Sequence, residues 1–137
     1  MLMFGSILAL VIMISIALGF LYFPRSIKTF MGISYEDIEE ISVEVGYDTI
    51  HVYTLREDYK EEFYQRITKI KVMPTYSHMK AVPKAQFIIR TKKETYYLCN
   101  FYYKTSTSKR EEFNLLDKEE FLSLYSLFPN VDINEYY

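Results

Sequence analysis

The first 24 residues contain no Asp, Glu, Lys or Arg. Elsewhere, too, the chain is defined by what it lacks. A single cysteine, Cys99, allows no intrachain disulfide and gives no indication of redox compartment. There is no Trp, and only four Gly and four Pro are spread along 137 residues. No P-loop, dinucleotide fingerprint or G-x-S-x-G elbow can be written from them. The two histidines, His51 and His78, stand apart from each other and from Cys99, so no three-ligand metal set is spaced along the chain. A Cys–His nucleophile pair needs an activated, accessible thiol, and Cys99 in an apolar run reads as inert. The net charge of −2 lacks the cationic excess that nucleic-acid binding requires; a polybasic lipid patch is missing for the same reason. The acidic cluster Glu36, Asp37, Glu39 and Glu40 lacks the spacing and glycine of a calcium loop. The chain therefore reads as non-enzymatic, with no cofactor, no metal and no small-molecule substrate.

What is present begins with the uncharged run itself, MLMFGSILALVIMISIALGFLYF. It is apolar on every side, so it offers no polar face to water. About 20 residues at 1.5 Å each cross a ~30 Å hydrocarbon layer. Tyr22 and Phe23, the helix breaker Pro24 and the cation Arg25 close it as an interfacial boundary would. Residues 1–23 are expected to form a single transmembrane helix that holds the chain in a cell membrane. A cleaved signal peptide would need a cationic leader, which is missing, and Ala17-Leu18-Gly19 is a poor cleavage site. Arg25 and Lys28 after the span bias the rest weakly to the cytoplasmic side.

Residues 24–40, with Pro24 and Gly32, are expected to be a juxtamembrane linker, 41–129 a soluble domain and 130–137 a tail. Ile41-Ser-Val-Glu-Val45 alternates as a strand, Gly46-Tyr47-Asp48 supplies a turn, and 49–53 forms a second strand. Thr54 followed by Glu57 matches a capping box. The stripe Tyr59, Phe63, Ile67 and Ile70 predicts a helix to about Val72, stopped by Pro74. Residues 86–92 and 95–104 read as two strands around Lys93-Glu94, and 111–116 as another. Asp117 with Glu120 predicts the start of a second amphipathic helix through Phe121, Leu124, Tyr125 and Phe128. Hairpin runs broken by helices imply an α+β domain: an antiparallel sheet in the order β-β-α-β-β-β-α, with two helices on one face.

The stretch 95–104 departs from this pattern. One of its faces carries Tyr97, Cys99, Phe101 and Tyr103, the other Tyr96, Leu98, Asn100 and Tyr102, so neither is polar. If Ile89 pairs with Tyr97, the second set lies outside beside Arg90, with His51 and Tyr53 on the same open face. Tyr53, Arg90, Tyr96, Asn100 and Tyr102 are then the candidate partner-binding residues. The alternative is a central strand whose rings lie flat on the sheet and pair across strands. A slip of one residue would exchange the two sets.

The strand 41–45, the helix after Thr54-x-x-Glu57 and the hairpin 86–104 together resemble small membrane-anchored domains of unknown function from Gram-positive bacteria. Some similarly built proteins are immunity factors that bind and neutralise a toxin. The resemblance implies an outward-facing domain, against the charge bias at Arg25 and Lys28. It also implies a protein partner, captured by a membrane-tethered binding module. The other reading is a structural or accessory subunit of a membrane complex, held through its span.

Overall fold

The computed structural model describes residues 2–75 and 81–136; His78 lies outside them. The uncharged run forms α1, Leu2–Tyr22, 21 residues long. Its end is set by Pro24, which has no N–H to continue the ladder after Phe23 bonds back to Gly19 at 2.9 Å. Among the described residues no helix is long and apolar enough to cross a membrane. The side chains of α1 are described from Met3 to Gly19. From Met3 to Leu18 they are all exposed, so this part of α1 gives the domain no core residue.

The chain enters the domain almost at once. β1, Arg25–Ser26, is followed by α2, Ile27–Met31. Ser26 caps α2 by accepting from the Thr29 amide at 3.1 Å, and Gly32 ends it in the left-handed region at φ 71°. Residues 24–40 thus carry regular structure, and Ile27, Met31, Ile33 and Ile38 are buried in the core.

Among the described residues, eight strands form one sheet in which every pairing is antiparallel. The other seven are β2 (Ile38–Val45), β3 (His51–Thr54), β4 (Lys71–Pro74), β5 (Ala85–Thr91), β6 (Thr95–Leu98), β7 (Tyr102–Thr105) and β8 (Glu111–Leu115). Their order across the sheet is β1-β4-β8-β7-β6-β5-β2-β3. Two helices, α3 (Lys60–Lys69) and α4 (Lys118–Ser123), cover one face. The α+β class and the antiparallel sheet stand, whereas the expected element order β-β-α-β-β-β-α is replaced by one with more strands.

Four local expectations are corrected. The stretch 95–104 is a hairpin: the Cys99 amide bonds to the Tyr102 carbonyl at 3.0 Å, and Asn100 and Phe101 turn the chain. Asn is a turn former, and its preference overrides the aromatic run on either side. The helix expected to reach Val72 stops at Lys69, because the Ile70 carbonyl accepts from the Ile27 amide at 2.8 Å and Val72 pairs with Leu115 and Arg25. Thr54 does not cap a helix: it lies in β3 with its hydroxyl 3.4 Å from that of Ser42, and residues 57–59 form a 3-10 turn without a side-chain cap. Asp117 does precede α4, but its side chain makes no capping bond. The turn after β5 lacks glycine and is held by Thr91, whose hydroxyl donates to the Glu94 carbonyl (2.7 Å) and accepts from the Glu94 amide (3.1 Å).

The core lies between the sheet and the helices. Val43, Phe87, Ile89 and Leu98 point from the sheet towards Phe63 and Ile67 of α3 and Phe121 of α4. Phe87 is its centre. Its ring stacks on Tyr125 at 4.3 Å and meets Phe63 at 5.0 Å and Phe121 at 5.6 Å. Burying one such side chain is worth about 1.5–3 kcal/mol, and favourable ring pairs add roughly 0.5–1.5 each.

Candidate functional site

The register decides which residues the uncovered face presents. Ile88, not Ile89, stands opposite Tyr97, and Ile89 stands opposite Tyr96. This is one residue away from the pairing that would have placed Tyr96 outside, so the two faces of β6 are exchanged. Phe87 opposite Leu98 satisfies both buried side chains at once, and the shifted register would have put Leu98 in water.

The five candidate residues consequently separate. Tyr53 is opposite Val43 and lies on the helix-covered face, half-buried, with His51 stacked beside it at 6.3 Å. Tyr96 is on that same face, 6.5 Å from Tyr103; burial, followed by the Glu94 carboxylate, raises its phenol pKa. Asn100 sits in the β6–β7 turn, lining a shallow cleft with Phe101, Pro83 and Tyr136. Only Arg90 and Tyr102 belong to the open face, and they are not neighbours. Tyr102 lies two strands from Arg90 and about four residues further along, ~13 Å in the strand direction. Arg90 is paired with Glu40 at 3.3 Å and Glu39 at 3.6 Å. At that exposure such pairs contribute at most about 1 kcal/mol.

Tyr102 leads to a concavity on the open face. It is only 2% exposed although it faces away from the helices. The Arg110 guanidinium covers its ring at 4.2 Å and donates to the Ala81 carbonyl at 3.0 Å, which ties the segment before β5 across the open face. Burial raises the Tyr102 phenol pKa, opposed by Arg110. Around it a pocket of about 250 Å³ is lined by Glu44, Gln86, Lys84, Lys104 and Arg110, with Tyr47, Ile50 and Val82 among the residues that complete the lining. Tyr47, Ile50 and Val82 are between 59% and 79% exposed, an apolar rim around a polar floor.

The backbone that shapes this pocket is set by Gly46. At φ 140° it occupies a region closed to other residues, and a Cβ there would run into the Thr49 carbonyl. Its amide bonds to the Lys84 carbonyl at 3.0 Å, joining the β2–β3 turn to the segment before β5. The lysines, Arg110 and Glu44 were missed in the sequence because they come from four separate segments. The usable signal was the outward alternation Glu40, Ser42, Glu44 against Gln86, Ile88, Arg90.

Among the described residues no group of three or more His, Cys, Asp or Glu could hold a metal ion. Cys99 is fully buried, and burial pushes its thiol up to about 11, so it is no nucleophile at neutral pH. The fold and the pocket define a class: an α+β domain with a single eight-stranded antiparallel sheet and a polar pocket on its uncovered face. Compared with protein-family models, curated proteins and solved structures, the chain matches none.

Proposed function

We propose that this chain is a membrane-tethered, non-enzymatic protein-binding module, of the kind that includes immunity-type inhibitors of toxins. The observation that carries the reading is the exposed rim of Tyr47, Ile50 and Val82 around the pocket, on a sheet face that no helix of the described residues covers. Solvent-exposed aromatic and aliphatic side chains grouped around a concavity are what protein interfaces use as anchors. The binding residues are then Tyr102 with its surroundings, while Tyr53 and Tyr96 serve the core side. The tether rests on the sequence: Met1 to Phe23 carry no charged side chain, and about 20 apolar residues at 1.5 Å each match a ~30 Å bilayer core.

The test is co-purification of the full chain in detergent, with and without Ile50→Asp and Val82→Asp together. Loss of partner capture with an unchanged circular dichroism spectrum supports the reading; retained capture rejects this face. The second reading, an accessory subunit of a membrane complex, is favoured by the exposure of every described α1 side chain from Met3 to Leu18. Exchanging residues 1–23 for an unrelated apolar span separates the two. Function lost on that exchange supports the accessory subunit.

A further inference from the structure

We infer that the pocket beside Tyr102 receives an acidic side chain from an extended segment of the partner. The inference rests on the protein-binding reading above and adds the chemistry of what is bound.

Three cations, Lys84, Lys104 and Arg110, line the pocket against one carboxylate, Glu44. The local excess is positive in a chain whose net charge is −2. Neither lysine has an ion pair among the described residues. Each ammonium instead lies over a ring, Lys84 at 4.9 Å from Tyr47 and Lys104 at 5.4 Å from Tyr97. Such contacts orient a cation and leave its donors available. Glu44 already accepts from the Gln86 amide nitrogen at 3.5 Å. That bond fixes the amide orientation, since the reverse would set two acceptors against each other. The Gln86 carbonyl oxygen is buried and has no hydrogen-bond partner among the described residues.

The pocket therefore asks for an anion at the lysines, while its rim asks for apolar surface. A peptide segment with an acidic residue flanked by an aliphatic one supplies both. Inorganic phosphate supplies the charge but not the apolar contact. A protein carboxylate is the occupant that uses both features of the site.

The experiment measures fluorescence anisotropy of a labelled, end-blocked tetrapeptide, two glutamates between two leucines, against the full chain in detergent. The glutamine counterpart should bind at least tenfold more weakly. Lys84→Glu with Lys104→Glu should reduce acidic-peptide binding at least tenfold. Lys92→Glu with Lys93→Glu, which changes net charge equally on a distant turn, should change it less than twofold. Three outcomes would overturn the inference: no binding of the acidic peptide at millimolar concentration, equal binding of both peptides, or equal losses from the two lysine pairs. Full displacement by equimolar inorganic phosphate would also overturn it and make this a site for small anions. Ile50→Ser with Val82→Ser probes the rim at unchanged net charge. If capture depends on them while the acidic peptide fails, the binding face stands and only its acidic anchor falls.

Discussion

Replacing Leu98 and Tyr97 by alanine, one at a time, tests the register on which the assignment of faces depends. Leu98 is 0% exposed and stands between Phe87 and Tyr103 on the helix-covered side. Truncating it removes buried methyl groups and leaves a cavity among Phe87 and its partners, a loss of about 2–5 kcal/mol. Tyr97 is half-buried on the open face, with the Lys104 ammonium 5.4 Å from its ring centre. Losing an exposed contact of that kind costs about 0.5–1 kcal/mol, with a similar contribution from partial burial. Leu98→Ala should therefore be the more damaging, by about 2 kcal/mol between the midpoints of the two ranges, a large share of the 5–15 kcal/mol typical of a domain. Urea unfolding of the full chain in detergent, followed by near-ultraviolet circular dichroism of the tyrosines, gives both values, with an unchanged m-value confirming the comparison. If Tyr97→Ala proves the more destabilising, Ile89 rather than Ile88 faces Tyr97, and the pocket is on the wrong side of the sheet.

Phe87→Ala should cost about 3–5 kcal/mol in the same assay, because it removes the ring on which Phe63, Phe121 and Tyr125 converge; a loss below 1.5 kcal/mol would contradict that arrangement. Gly46→Ala should destabilise by more than the usual glycine-to-alanine change, since both φ and the Thr49 carbonyl exclude a Cβ; a stabilised variant would show that the turn has another conformation. Cys99 should resist iodoacetamide at pH 8 in the folded chain and react once urea unfolds it. Its thiol moves from an ordinary 9.0 to about 11 on folding, so the unfolded chain releases this proton first. Stability is then full below pH 9 and falls by up to about 1.4 kcal/mol per pH unit between 9 and 11, measurable by urea unfolding across that range. Arg90→Ala should change stability by less than about 1 kcal/mol, since Glu39 and Glu40 pair with it in water; a larger loss would mean the pair is structural.

The α+β class and most strands were legible because alternation survives in the sequence: Ile41, Val43 and Val45 are all buried, with Ser42 and Glu44 on the other face. The helix stripe of Phe63, Ile67 and Ile70 was legible for the same reason. What escaped was set by distant partners. β4 was hidden because Val72 looks helical until Arg25 and Leu115 claim its backbone. The Cys99–Tyr102 turn was hidden because one Asn sat in a run of eight residues rich in aromatic rings. The register could not be chosen between two faces of β6 that were equally apolar in sequence. It is chosen by the need to bury Leu98 against Phe87. The pocket was illegible for a further reason: Arg110 reaches Ala81 across 29 positions, Lys84 comes from the segment before β5 and Lys104 from β7.

The order of strands also fixes how α1 and the pocket relate. α1 ends at Tyr22 and the chain is already paired into the sheet at Arg25, opposite Val72. A cleft lined by Ile16, Gly19, Phe23 and Arg25 marks where the helix meets the sheet edge. Two residues leave little freedom for a swivel, so the direction of α1 and that of the sheet are coupled. β1 is one edge of the sheet and β3 the other. Seven steps of about 4.8 Å separate them, ~34 Å along a flat sheet and somewhat less once twist is included. The rim residues Tyr47 and Ile50 lie in the turn that leads into β3. A helix held in a bilayer would therefore place the rim at the edge of the sheet away from its anchor. This geometry favours a protein partner at the rim over insertion of Ile50 and Val82 into the same lipid, because the sheet itself holds them apart from α1.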